Sequence, residues 1–95
     1  MMVYAVAQIT IHDRVRYDRY AAKFLETLGP YQGRLLAADE HPEMIEGSCE
    51  CHKVILLAFP DASAFHAWRT SPEYEAIAID RLAASSGSVL LVRGL

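Results

Sequence analysis

From Val3 to His12 the side chains alternate, with Val3, Ala5, Ala7, Ile9 and Ile11 on one face and Tyr4, Val6, Gln8, Thr10 and His12 on the other. A period of two predicts a strand with unlike faces. The period then lengthens. Asp13 can accept from the free N–H groups of a first helical turn, and Val15, Tyr17, Tyr20, Ala21, Phe24, Leu25 and Leu28 recur at helical spacing until Gly29-Pro30 stops the run. Gly33 permits a reversal into an apolar strand from Arg34 to Asp39, and Met44 to Glu46 reads as a short hairpin arm before Gly47. Lys53 to Phe59 is apolar on both faces, which predicts a strand covered on both sides and central in its sheet.

After Pro60, Asp61 can cap a short helix carrying Ala64, Phe65 and Trp68. Ser71-Pro72-Glu73 then combines a second cap, a proline at the first helical position and an early carboxylate. Tyr74, Ile77, Ala78 and Leu82 form the stripe of the restarted helix. Ser85 to Ser88, with Gly87, reads as a connector, and Val89 to Val92 as the last strand. The order β-α-β-β-α-β with right-handed crossovers places the helices on one face of one antiparallel sheet, an α+β, ferredoxin-like arrangement. At 95 residues and 10.6 kDa the chain is expected to form a single domain over residues 1–95.

One layer of helices leaves a sheet face open. Strands two, three and four are apolar on both faces, so five or six large aliphatic side chains would stay wet, representing on the order of 10 kcal/mol of burial. The expected remedy is a homodimer with the two sheets face to face.

Composition narrows the partners further. Hydrophobic residues make up 53% and charged residues 22%, so the chain has core-forming material. A net charge of -3 and a pI near 5.7 give no electrostatic attraction to nucleic acid or to an anionic membrane surface. No apolar run approaches the ~20 residues of a membrane span, and a cytoplasmic location is expected.

The ordered landmarks resemble a bacterial family of small uncharacterised proteins, a domain of unknown function within the dimeric α/β-barrel superfamily. The resemblance runs through Tyr4 and Gln8, Asp13 ahead of Tyr17 and Tyr20, Tyr31-Gln32-Gly33-Arg34, Phe59-Pro60, Trp68, Ser71-Pro72-Glu73-Tyr74 and Val89 to Gly94. It implies a βαββαβ fold whose paired sheets close a barrel, in a superfamily that includes cofactor-free monooxygenases, lactone isomerases and haem-handling enzymes. The nearest family implies no established reaction. The chain departs from the family pattern at Gln32, where a second glycine is common, at Leu25-Glu26, where proline is frequent, and in a middle hairpin carrying His41, Cys49, Cys51 and His52.

That hairpin holds the only metal-type cluster. Cys49-Glu50-Cys51-His52 lacks the matching second pair of a zinc site, so no metal is expected. A disulfide is not expected either, because residues i and i+2 of an extended strand lie about 6.6 Å apart. His66 turns away from Phe65 toward solvent, whereas His12 and His52, at neighbouring strand ends, are candidate proton shuttles. Gln8, Arg34, Tyr31 and Trp68 are candidate ligand contacts: a hydrogen-bonding amide, a counter-charge and two apolar walls. Asp18-Arg19 and Asp80-Arg81 read as solvated helix faces. No phosphate loop or activated nucleophile is present, so no cofactor is called for. The expected function is a homodimer that binds a small, partly apolar organic molecule, with cofactor-free monooxygenase-like or isomerase-like chemistry. The competing expectation is a non-catalytic dimerisation module with a packed interior.

Overall fold

The computed structural model describes residues 1–95. The alternating start forms β1 (Val3–Ile11), and Asp13 caps α1 (Arg14–Leu28) by accepting from the Arg16 amide at 3.1 Å. A short 3-10 turn (Gly29–Tyr31) leads through Gln32, in the left-handed region at φ 58°, into β2 (Arg34–Asp39). β3 (Lys53–Phe59) returns beside it. The caps expected at Asp61 and Ser71 start α2 (Ala62–Arg69) and α3 (Pro72–Ala84), with Asp61 accepting from Ala64 at 2.8 Å and Ser71 from Tyr74 at 3.2 Å. β4 (Ser85–Arg93) closes the chain. The strands lie in the order β2-β3-β1-β4, and each adjacent pair is antiparallel. This is the ferredoxin-like α+β fold.

Register decides which side chains meet. Val3, Ala5 and Ala7 sit opposite Phe59, Leu57 and Ile55, under the helices, while Tyr4, Val6 and Gln8 sit opposite Ala58, Leu56 and Val54 on the helix-free face. The core joins the first set to Tyr17, Tyr20, Phe24 and Leu28 of α1, Phe65 and Trp68 of α2, and Tyr74 and Ala78 of α3. β3 is interior as its two apolar faces predict, flanked by β2 and β1.

Three local expectations are corrected. Met44 to Glu46 is not a strand arm, since the segment between β2 and β3 has no regular structure. Ser85 to Ser88 is not a connector. Those residues pair with Ile11 to Gln8, and Gly87 makes the pairing possible: a Cβ there would sit 2.0 Å from the Gln8 carbonyl oxygen, at a φ of +148°. The strand therefore starts where α3 ends, and the Ala84 carbonyl accepts from the His12 and Asp13 amides at 2.7 and 3.1 Å, pinning the ends of β1 and α3 together. Finally, Leu82 lies outside the buried stripe of α3, at 67% exposure.

The disulfide expectation is also overturned. Cys49 and Cys51 are bonded, with Cα atoms 5.3 Å apart. At 5.3 Å the two Cα atoms are closer than the ~6.6 Å of an extended strand, which brings the cysteines within bridging reach.

Candidate functional site

The helices do not fully cover the sheet. Over β1 the side chains Ala5 and Ala7 are small, and they help to leave a partly open cavity of about 150 Å³ between the sheet and the three helices. Its walls are Tyr20 and Phe24 of α1, Phe65 and Trp68 of α2, Tyr74 of α3 and Val89 of β4. Two guanidinium-bearing side chains, Arg69 and Arg81, also border it.

The rings are held by specific contacts. Trp68 donates its Nε1–H to Thr27 Oγ1 at 3.0 Å, and Thr27 donates to the Phe24 carbonyl at 2.7 Å, which ties α2 to the last turn of α1. The Tyr74 ring packs at a tilt of 43° against Trp68 with centroids 4.0 Å apart, and its position follows from the Ser71 cap that begins α3. Ser71 donates in turn to the Trp68 carbonyl at 2.7 Å. One short turn thus fixes both aromatic walls.

The polar groups converge on the Tyr74 hydroxyl. Tyr20 and Tyr74 share a hydrogen bond of 3.1 Å between their phenolic oxygens, and Arg81 Nε donates to Tyr74 at 3.3 Å. Burial holds the Tyr20 phenol well above its ordinary pKa, reinforced by the neighbouring Tyr74, so Tyr20 stays neutral and can donate. When Tyr20 donates, Tyr74 keeps its own proton free to offer to an oxygen in the cavity. Arg81 spends only its Nε on the protein, which leaves its terminal N–H groups available for an anion.

A second concavity lies at the end of the sheet. It is an open groove of about 650 Å³ walled by His12, Arg14, Glu40, His41, Cys51 and His52. His12 Nε2 lies 2.8 Å from Ser86 Oγ, and His52 Nδ1 accepts from the Ile11 amide at 3.3 Å. Arg14 grips Glu40 through two bonds of 2.6 and 2.9 Å, and the guanidinium holds the Glu40 carboxyl below the usual carboxylate range. No three His, Cys, Asp or Glu side chains are arranged to hold a metal ion.

The candidates named from sequence are therefore dispersed. Trp68 lines the aromatic cavity. His12 and His52 share the groove at the sheet end. Gln8, opposite Val54 and Ser88, and Arg34, opposite Ala58, belong to the helix-free face. Tyr31 is half-buried against the core at the 3-10 turn. Tyr20, Tyr74 and Arg81 were not among those candidates, and Asp80-Arg81 is not a solvated face: Asp80 receives Arg16 and Arg19 of α1 at 2.9 and 3.3 Å. The available signal was Arg81 seven residues after Tyr74, two turns along the same apolar stripe.

Comparison with known proteins agrees with this architecture. A family model described as a domain of unknown function (DUF1330) matches residues 2–95. A protein of unknown function from Rhodopseudomonas palustris superimposes with a TM-score of 0.85 at 14% identity, over 99% of this chain and 82% of that one. The cofactor-independent oxygenase SnoaB from Streptomyces nogalater gives 0.70 at 14% identity, over 99% and 93%. A dimeric ferredoxin-like protein of unknown function from Jannaschia sp. CCS1 gives 0.70 at 19%, over 97% and 96%. At such identities these likenesses concern the fold. No protein of curated function matches the chain.

Proposed function

The chain belongs to the DUF1330 family, a domain of unknown function, and from that premise we propose a homodimer in which each protomer binds a small aromatic or enolic molecule between helices and sheet. The observation that carries this reading is the cavity itself, with aromatic walls and a Tyr20–Tyr74–Arg81 relay at its rim. A volume of ~150 Å³ is the size that accepts a single benzene-like ring. Arg81 supplies the counter-charge for an acidic hydroxyl on that ring, and Tyr74 supplies a proton donor.

The chemistry suited to such a site is cofactor-free. Holding a phenol or enol as its oxyanion raises the electron density of the ring carbons, the step that oxygenation by O2 or a proton shift requires. SnoaB, of similar fold, is a cofactor-independent oxygenase, which supports this choice. The alternative, a dimerisation module with a filled interior, has no use for an opening between helices and sheet or for an arginine turned toward it.

The dimer reading rests on the helix-free face, where Leu36, Leu90 and Val92 are 45%, 54% and 45% exposed. A second copy of the same face is the simplest cover, and the dimeric relative of similar fold supports it. In this arrangement Gln8 and Arg34 act at the contact between copies. Trp68 is the ligand wall, Tyr31 buttresses the core, and His12 and His52 serve the separate groove. A cytoplasmic location accompanies the proposal; no helix is long and apolar enough to cross a membrane.

Native mass spectrometry against a panel of monocyclic phenols, cyclic enols and their methyl ethers tests the site. The expected result is retention of the free hydroxyl compounds and loss of that retention in Arg81→Gln. Equal retention of the methyl ethers would overturn the oxyanion reading.

A further inference from the structure

We propose that Cys49 and Cys51 form a thiol–disulfide exchange site for low-molecular-weight thiols, at the sheet end and apart from the aromatic cavity. The proposal is independent of the dimer and of the ring-binding site. It starts from what the bond does not do. The disulfide joins residues two apart, so it closes a very short loop and constrains the unfolded chain very little. Nor does it reach into the core: both cysteines lie in the segment between β2 and β3 that has no regular structure, and Cys49 is exposed. A bond in that position is a poor staple and an accessible electrophile.

The surroundings favour exchange. Cys51 is half-buried and forms part of the groove, alongside Arg14, His12, His41 and His52. The single carboxylate in that wall, Glu40, is already engaged by Arg14. Cys51 thus shares its groove with three imidazoles and a guanidinium, a setting that favours a thiol as leaving group. The backbone around the pair is pinned to β1: Thr10 Oγ1 donates to the Glu50 carbonyl, and the His52 amide donates to the Ile9 carbonyl at 2.7 Å. These bonds do not involve sulfur, so they hold the segment in place whichever redox state the pair is in.

The step balances as follows. The thiolate of a small thiol attacks Cys49 Sγ, the exposed sulfur; the protein S–S bond breaks, and its electron pair leaves on Cys51 as thiolate. A second small thiolate attacks the small-molecule sulfur of that mixed disulfide, forming the small-molecule disulfide and releasing Cys49 as thiolate. Two small thiols are oxidised and one protein disulfide is reduced, with two electrons transferred.

Glutathione serves as the probe. The native protein is equilibrated in mixtures of reduced and oxidised glutathione, quenched with a maleimide and weighed intact. Excess reduced glutathione is expected to expose two thiols, and excess oxidised glutathione to close them again, with the thermal unfolding curve nearly unchanged between the two forms. The Cys51→Ser variant is expected to carry one glutathionyl group on Cys49. The native protein should also be reduced about ten-fold faster than a synthetic peptide spanning residues 46–53, because only the folded chain brings His12, Arg14 and His41 beside Cys51. A disulfide that opens only after denaturation, thiols that stay free in excess oxidised glutathione, or a peptide reduced as fast as the protein would each overturn the proposal.

Discussion

The interior and edge strands of one sheet carry similar apolar residues under different cover. Under the helices Ile55, Leu57 and Phe59 of β3 are buried, Phe59 completely, whereas Leu90 and Val92 on the other face remain about half exposed. The boundary does not run cleanly between faces either. Val89 points to the helix side opposite Ala7, yet is 49% exposed, because the helical cover ends over β1 and leaves β4 as a cavity wall. What a side chain buries thus depends on how far a helix reaches, and a helix–sheet fold that stops one strand short leaves a pocket and an exposed apolar face from the same residue types.

Substitutions sharpen that contrast. Phe59→Ala, at a fully buried site touching Phe65 and Trp68, is expected to lower the unfolding free energy by about 3–5 kcal/mol in a denaturant titration. Leu90→Asp should behave in the opposite way: the stability of one chain changes by under roughly 0.5 kcal/mol, while the two-fold contact receives two charges and is lost. Sedimentation would then report particles of 10.6 kDa for the variant and twice that for the parent; a parent of single-chain mass would remove the dimer.

Tyr74→Phe probes the pocket between those extremes. It strands the Tyr20 hydroxyl and Arg81 Nε, so about 1–3 kcal/mol of stability should go together with ring binding, a loss to be measured by denaturation and by native mass spectrometry. Alkaline pH reports on the same aromatic cluster. Burial pushes the Tyr17 phenol up to about 12, while the unfolded phenol ionises near pH 10. The unfolded chain therefore releases its proton first, and the stabilisation, complete below pH 10, should decline as pH rises toward 12. A melting temperature flat across that window would contradict the burial of Tyr17. The smallest effect is expected at Gln32→Gly, where relief of a left-handed backbone is partly offset by glycine's added freedom, for a gain of about 0.5 kcal/mol.

Gln32 also shows why parts of this molecule are readable in one dimension. The residue that follows the helix-ending 3-10 turn, Gln32, takes φ 58°, a conformation set by the turn itself. The caps at Asp13, Asp61 and Ser71, the Gly29-Pro30 stop and the two-faced apolar β3 are equally local, and each lies where the residue pattern predicts it. Reading failed where a distant partner overrides local preference. Ser85 to Ser88 has the composition of a loop, yet β1 offers those residues a complete ladder of hydrogen bonds. Met44 to Glu46 has strand-like residues but no strand to pair with.

The candidate site divides in the same way. Trp68 and Tyr74 were visible as large rings at helical spacing, and only packing distinguishes a core ring from a cavity wall. The alternation, the caps and the apolar surplus belong to the chain alone, because they depend on contacts between residues a few positions apart. The meeting of Tyr20 with Tyr74 and Arg81 around an opening, and of Cys51 with His12, depends on strand order and helix reach, which bring together side chains 54, 61 and 39 positions apart. Those juxtapositions exist only once the sheet has assembled.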